Sequence, residues 1–228
     1  MSLILNIDTA TETATVSLAA DGKVLQCISN ANQKDHAAFI QPAIQQLLEH
    51  NQIAINSLDA IAVVNGPGSY TGLRVGMASA KGLCYALGKP LISIGTLELM
   101  AASAVEQVAP KTGQWFCPMI DARRMEVFTA VYDDLGNVIV EPCAMILDEQ
   151  SFADLLADHR LIFFGNGADK YMTIQQHANA VFKKIVVDVA VLSRLTWELN
   201  QQQKFTSLAY SEPFYIKAFY SAQKGQQF

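Results

Sequence analysis

The sequence repeats itself. Ile7-Asp8 is followed thirteen residues after the aspartate by Asp21-Gly22-Lys23-Val24, and Ile120-Asp121 is followed at the same thirteen-residue step by Asp134-Leu135-Gly136-Asn137-Val138. In each copy an apolar run ends on an aspartate, a second strand-like run follows, and a turn leads into a third. Leu3–Asp8, Thr13–Ala19 and Lys23–Ser29 make the first set; the run ending at Asp121, Glu126–Tyr132 and Val138–Ala144 make the second. The mostly continuous apolar run before Asp8 predicts a strand covered on both faces, and Asp21-Gly22 predicts a hairpin turn.

Each half then continues in the same order. In the first, Phe39, Ile40, Ala43, Ile44, Leu47 and Leu48 recur at helical spacing over Asp35–His50, with Asp35 as cap and Pro42 marking either a kink or the first turn. A strand over Ile61–Val64, a helix over Thr71–Leu87, a strand over Pro90–Ile94 and a helix over Leu97–Glu106 capped by Thr96 follow. Gln107–Gln114 reads as a linker. The second half offers a helix over Ser151–Asp158, a strand over Leu161–Phe164, a Gly165-Asn166-Gly167 turn, a strand over Lys184–Val187 and a helix over Val189–Gln201. A strand-strand-strand-helix-strand-helix unit occurring twice predicts two stacked α/β halves, each with a mixed sheet, against a Rossmann or barrel fold. Chance likeness of the two hairpins is the competing reading.

At 228 residues, 51% hydrophobic and 16% charged, the chain is long and apolar enough to bury a core. A mean hydropathy of +0.19 suits either a well-filled interior or a surface meeting another chain. No apolar run reaches the roughly 18 residues of a membrane span, and no basic segment precedes the first apolar stretch, so the expectation is a cytoplasmic protein without a membrane partner. A formal charge of −5 argues against binding nucleic acid alone. Cys27, Cys84, Cys117 and Cys143 show no C-x-x-C spacing and predict buried free thiols.

Gly66, Gly68, Gly72 and Gly76 put four glycines into eleven residues between a strand and a helix. Their spacing fits neither G-x-x-x-x-G-K-[ST] nor G-x-G-x-x-G, and Lys81 comes too late for a phosphate-binding lysine. Gly72, Gly76, Ala80 and Cys84 instead recur every four residues, leaving a bare helical face walled by Leu73, Met77 and Tyr85, to which another helix can approach closely. Spacing does not say whose helix. Asp8 and Asp121 at strand ends could hold a metal-bound nucleotide or simply cap their own turns. His36, His50, His159 and His177 form no metal-binding pair, and no Gly-x-Ser-x-Gly elbow supports nucleophilic catalysis.

Ile7-Asp8-Thr9-Ala10-Thr11, His36 with the helix through Pro42, the Gly66–Gly76 segment with its Pro-Gly-Ser-aromatic-Thr-Gly-Leu-Arg signature, Pro90–Glu98, Asp121-Ala122-Arg123-Arg124-Met125-Glu126-Val127 and Pro213-Phe214-Tyr215-Ile216-Lys217 together resemble the TsaB (YeaZ) family of tRNA threonylcarbamoyladenosine synthesis. The resemblance runs in order over nearly the whole chain. It implies an actin/hexokinase/Hsp70-like (ASKHA) duplicated fold, with lobes over 1–106 and 107–228 and the last ~20 residues packing back on the first lobe. It also implies a paralogue, TsaD, that transfers threonylcarbamoyl from threonylcarbamoyl-AMP to adenosine beside the anticodon. TsaD-like proteins carry a metal-binding His-x-x-x-His whose positions fall here on Thr96 and Met100, residues unsuited to a hard or borderline metal.

By this resemblance the chain is a non-catalytic partner that needs no metal or cofactor. It pairs with TsaD or with itself as a homodimer, and TsaE and tRNA join through the complex. The implied interface is His36, Phe39, Ile40, Ile44, Leu47, Tyr70, Gly72, Leu73, Gly76, Met77, Ala80 and Cys84, with Asp8, Thr9, Thr11 and Arg123 as degenerate nucleotide contacts. On that reading Gly76→Leu breaks the complex and spares the fold. An ATP-binding kinase-like enzyme and a glycoprotease-like peptidase are the alternatives.

Overall fold

The computed structural model describes residues 1–32, 35–108 and 113–217. Ten strands form two five-stranded sheets. The first contains β1 (Leu3–Asp8), β2 (Ala14–Ala20), β3 (Lys23–Asn30), β4 (Ala60–Gly66) and β5 (Leu91–Gly95), in the order β3-β2-β1-β4-β5. The second contains β6 (Gln114–Asp121), β7 (Glu126–Tyr132), β8 (Val138–Ile146), β9 (Arg160–Phe164) and β10 (Ala180–Phe182), in the order β10-β9-β6-β7-β8. The two orders are the same pattern. In each, the first three strands are an antiparallel meander and the last two add in parallel beside the first. The two α/β halves with mixed sheets expected from the repeat, and the duplicated ASKHA fold implied by the resemblance, are the fold observed.

Helices α1 (His36–His50), α2 (Tyr70–Leu87), α3 (Thr96–Gln107), α4 (Ala153–Asp158), α5 (Ala168–Met172) and α6 (Val189–Gln201) complete five layers. Ile40, Ile44 and Leu47 of α1 and Met77, Ala80 and Cys84 of α2 bury against Leu5, Ile7, Val16 and Val63 on the outer face of the first sheet. Helices α4 and α5 cover the outer face of the second sheet through Leu156 and Tyr171. Between the sheets lie α3 and α6. Alternation within β6 makes this possible: Cys117 and Met119 face α4 and α5, whereas Phe116 and Ile120 face α3.

The two inner helices redraw the expected lobe boundary. Leu97, Met100, Ala101 and Ala104 of α3 pack on Phe116, Ala130, Ile162 and Phe164 of the second sheet. Helix α6, assigned to the second lobe by position, packs on the first sheet instead. Its Thr196 Oγ1 donates to Asn6 Oδ1 at 2.8 Å in the middle of β1. The chain then continues over the first lobe: Thr206 bridges Leu91, and Phe214 N donates to Asn65 O at 2.7 Å. An apolar stripe fixes which face of a helix is buried, not which sheet receives it.

Several local expectations are corrected as well. Helix α1 continues through Pro42, which is exposed, as is Ala38, the residue whose carbonyl a proline at 42 cannot donate to. Asp35 occupies the cap position but bonds Asn32 rather than the helix. Thr96 is the first residue of α3, not its cap; Glu98 reaches back to Gly95 N at 3.4 Å. The last strand is Ala180–Phe182, and Ile185 and Val187 pack against the α3 cluster without pairing in the sheet. The four cysteines are free, but Cys27 is exposed rather than buried. The linker expectation lies partly outside the described residues, as does Ala218 onward.

Candidate functional site

The duplicated aspartates occupy equivalent strand ends and are held in opposite electrostatic states. Asp8 Oδ1 accepts from Ala10 N at 3.0 Å and the residue is 8% exposed. Burial pushes its carboxyl up to about 6, and the single backbone hydrogen bond only partly offsets that. Asp121 Oδ1 accepts from Arg123 N at 2.7 Å and from Lys170 Nζ at 2.6 Å, and the Lys170 contact holds its carboxyl below the ordinary value. Each aspartate caps its own turn, the plainer of the two sequence readings.

Between the lobes opens a cleft of about 730 Å³. The β1–β2 loop contributes Thr11 and Glu12, the start of α2 contributes Ser69 and Tyr70, and the β6–β7 turn contributes Asp121 and Arg123. Of the four expected nucleotide contacts, Thr11 and Arg123 line this cleft. Asp8 and Thr9 do not; Thr9 is fully buried and its Oγ1 donates to Gly72 O at 2.7 Å. The glycine loop is also spent internally. Ser69 N donates to Ala10 O at 2.7 Å, and Gly72 N donates to Ser69 Oγ at 3.3 Å, which caps α2.

The bare face of α2 points inward. A Cβ on Gly72 would overlap the Thr9 carbonyl oxygen, and one on Gly76 would overlap Thr9 Oγ1, both far inside van der Waals contact. The approaching backbone is this chain's own β1–β2 loop, not a partner helix. Leu73, Met77, Ala80 and Cys84 are each no more than 4% exposed. His36, Ile40, Ile44 and Leu47 of α1 are buried likewise, and His36 Nε2 lies 3.3 Å from Glu12 O. Among the residues expected at an interface, only Phe39 and Tyr70 reach the surface. Gly76→Leu is therefore expected to break the fold rather than to spare it.

The outward face of α2 has its own four-residue stripe. Ala78, Gly82 and Ala86 are exposed, and nothing lies within 4 Å of where a Gly82 Cβ would sit. Tyr85 stands beside them, 85% exposed. On α1 the neighbouring surface is Ala37, Ala38, Gln41 and Pro42. At the start of α2, Arg74 lies over the Tyr70 ring at 4.3 Å and its Nε donates to the Tyr215 hydroxyl at 3.2 Å, which pins the segment after α6 to this helix.

The chain matches the family model TsaD, tRNA N6-adenosine threonylcarbamoyltransferase, over residues 24–218. It is 30% identical over 196 residues to the tRNA threonylcarbamoyladenosine biosynthesis protein TsaB of Bacillus subtilis, covering 82% of this chain and 76% of that protein. The chain belongs to the TsaB (YeaZ) family. The Escherichia coli TsaB is 36% identical over 140 residues, covering 60% of this chain and 57% of that protein. YeaZ from Pseudomonas aeruginosa superposes with a TM-score of 0.74 at 25% identity, over 94% of this chain and all of that one.

In this TsaB-family chain the two positions matched to a metal-binding pair are both buried in the layer between the sheets. Thr96 is 1% exposed with its hydroxyl unpartnered, and Met100 is 6% exposed against Phe116 and Ile120. Neither side chain offers the nitrogen donor an imidazole would. Among the described residues no three His, Cys, Asp or Glu side chains converge as a metal site.

Proposed function

We propose that this chain is the non-catalytic partner of TsaD in tRNA N6-threonylcarbamoyladenosine formation, binding and activating it through the outer face of α1 and α2. The observation that carries this reading is the uncovered stripe on α2: Ala78, Gly82 and Ala86 admit a partner helix at close range, and the fully presented Tyr85 ring supplies apolar area beside it. Among the described residues nothing fills the space a Gly82 side chain would take, so its lack of one has no internal explanation. The same face serves a homodimer in the absence of TsaD. TsaE and tRNA join through the complex, in keeping with the net charge of −5.

The test is co-elution with TsaD on size exclusion. Gly82→Arg and Tyr85→Asp, both on exposed positions, are expected to leave the melting temperature within about 2 °C, a shift typical of surface changes at this chain length. They are expected to weaken the complex at least tenfold, the scale of losing a central aromatic anchor. Undiminished co-elution of both variants contradicts the proposal.

A second reading, nucleotide binding in the cleft, draws on its volume and on Thr11 and Arg123 in its wall. Against it stand the Ser69 and Gly72 amides, already used within the chain, and Glu12 in the wall of the same space. Titration of the isolated chain with ATP and Mg²⁺ separates the two: nucleotide turnover without TsaD overturns the partner reading.

A further inference from the structure

On the side of the molecule where the β5–α3 junction meets the β7–β8 hairpin lies a second cavity, of about 440 Å³. Among the described residues its wall carries two carboxylates, Glu98 and Glu141, and no lysine, arginine or histidine. Among the described residues neither carboxylate has an ion-pair partner, and Glu98 makes only the 3.4 Å contact with Gly95 N. Tyr132 also lines the cavity. It is 4% exposed, yet among the described residues its hydroxyl has no hydrogen-bond partner. The ring is enclosed, whereas the hydroxyl itself is not fully buried and so is open to a ligand in the cavity. Burial, then the nearby charges of Glu98 and Glu141, push its ionisation up, so it stays a neutral hydroxyl able to accept from an N–H donor. The rest of the wall combines the polar residues Asn65 and Ser93 with an apolar flank that includes Pro67, Leu97, Val138 and Phe214.

Two unpaired carboxylates, an unpartnered hydroxyl on an otherwise enclosed ring and an apolar flank define by charge and shape the ligand this cavity fits. We propose that this cavity binds an organic cation with a short carbon stem, an alkylammonium or guanidinium group, whose head meets Glu98, Glu141 and Tyr132 while its stem lies along Leu97 and Phe214. Aromatic rings at the wall add attraction for a cation. The space is far larger than a single coordinated metal ion, and among the described residues no three His, Cys, Asp or Glu side chains converge there to hold one. The site is separate from the α1–α2 face and does not depend on the partnership proposed for it.

The test is an NMR chemical-shift titration of the full chain with butane-1,4-diamine, with capped lysine and capped arginine (N-acetyl, N-methylamide), and with butane-1,4-diol as the neutral control. The cations are expected to bind and the diol is not. The double variant Glu98→Gln with Glu141→Gln is expected to weaken binding by about tenfold or more, because charge-assisted hydrogen bonds are lost. Tyr132→Phe is expected to weaken it about threefold, the lower end for one hydrogen bond. Melting curves of both variants establish that they fold; both carboxylates are exposed, and the amide oxygen introduced by Glu98→Gln can still accept from Gly95 N. Binding of the diamine alone assigns the site to a free amine, and binding of the capped amino acids assigns it to a basic side chain of another protein. Absence of binding by all three cations, equal binding of the diol, or undiminished binding to the double variant overturns the proposal.

Discussion

Replacing Gly72 with alanine is expected to destabilise the chain by about 3 kcal/mol or more, whereas the same replacement at Gly82 stabilises it by about 0.5–1 kcal/mol. Both glycines lie in α2, ten residues apart, and intrinsic helix propensity favours alanine at each. The difference is the surroundings. At Gly72 the new methyl meets the backbone carbonyl of Thr9, which is fully buried and cannot retreat without pulling β1 out of the first sheet. Thr9 is also tied to Gly72 O through its hydroxyl, so the clash and the hydrogen bond strain the same turn. At Gly82 the methyl enters open space and only the backbone entropy of the unfolded chain is reduced. Urea unfolding of the two variants checks this. Equal effects at the two positions would mean that the stripe does not face inward.

Asp8→Asn is expected to raise stability at pH 7–8 by about 2–3 kcal/mol and to flatten its pH dependence between about pH 4 and 6. The sign follows from burial. The folded carboxyl titrates near 6, above its unfolded value of 3.8, so between those values the folded state binds more protons than the unfolded one. Stability contributed by the protonated form is fully present below about pH 4, declines as pH rises toward 6, and is gone above it. Asparagine keeps an oxygen for Ala10 N and carries no charge to desolvate. Denaturation midpoints from pH 4 to 8 decide the matter. Parallel profiles for the two proteins would show that Asp8 is not the group responsible.

Much of the architecture is legible in the sequence, because the signals that define it are local and strong. β1 is an apolar run broken only by Asn6 and closed by Asp8, β7 is bounded by Glu126 and the turn after Tyr132, and α6 spans an unbroken helical pattern from Asp188, whose side chain caps it by accepting from Ala190 N at 2.8 Å. Their predicted and observed limits coincide. The repeat carries the topology, since a thirteen-residue step from strand end to turn leaves only a hairpin to connect them. Elements with weaker local signals are misread. Helix α5 has five residues, too few for a period to show, and β10 has three half-buried residues at a sheet edge. Ile185 and Val187 imitate a strand by alternation while their side chains simply fill the α3 layer.

The site is legible to a lesser depth. Glycine spacing on α2 shows that something must come close, and that inference holds. Whether the close neighbour is the chain's own loop or a partner depends on where β1–β2 lies in space, which spacing does not encode. The result is an exchange of faces. Gly72 and Gly76 secure the Thr9–Ala10 turn, and the surface role passes to Ala78, Gly82, Tyr85 and Ala86. The second stripe carries the same four-residue period and is open to the same reasoning. In the same way the paired aspartates keep their duplicated positions but not a shared role, because Lys170 neutralises one and, among the described residues, nothing charged approaches the other.

Reconstituted modification of unmodified tRNA, supplied with threonylcarbamoyl-AMP, is the measurement that bears most directly on the role proposed for this chain. With TsaD and this chain together, threonylcarbamoyladenosine is expected to form; this chain alone should yield none, and TsaD alone far less. Gly82→Arg with Tyr85→Asp should abolish the stimulation, while Arg123→Ala in the cleft should leave it intact. Product formed by this chain without TsaD, or stimulation that survives loss of the α2 face, would contradict it.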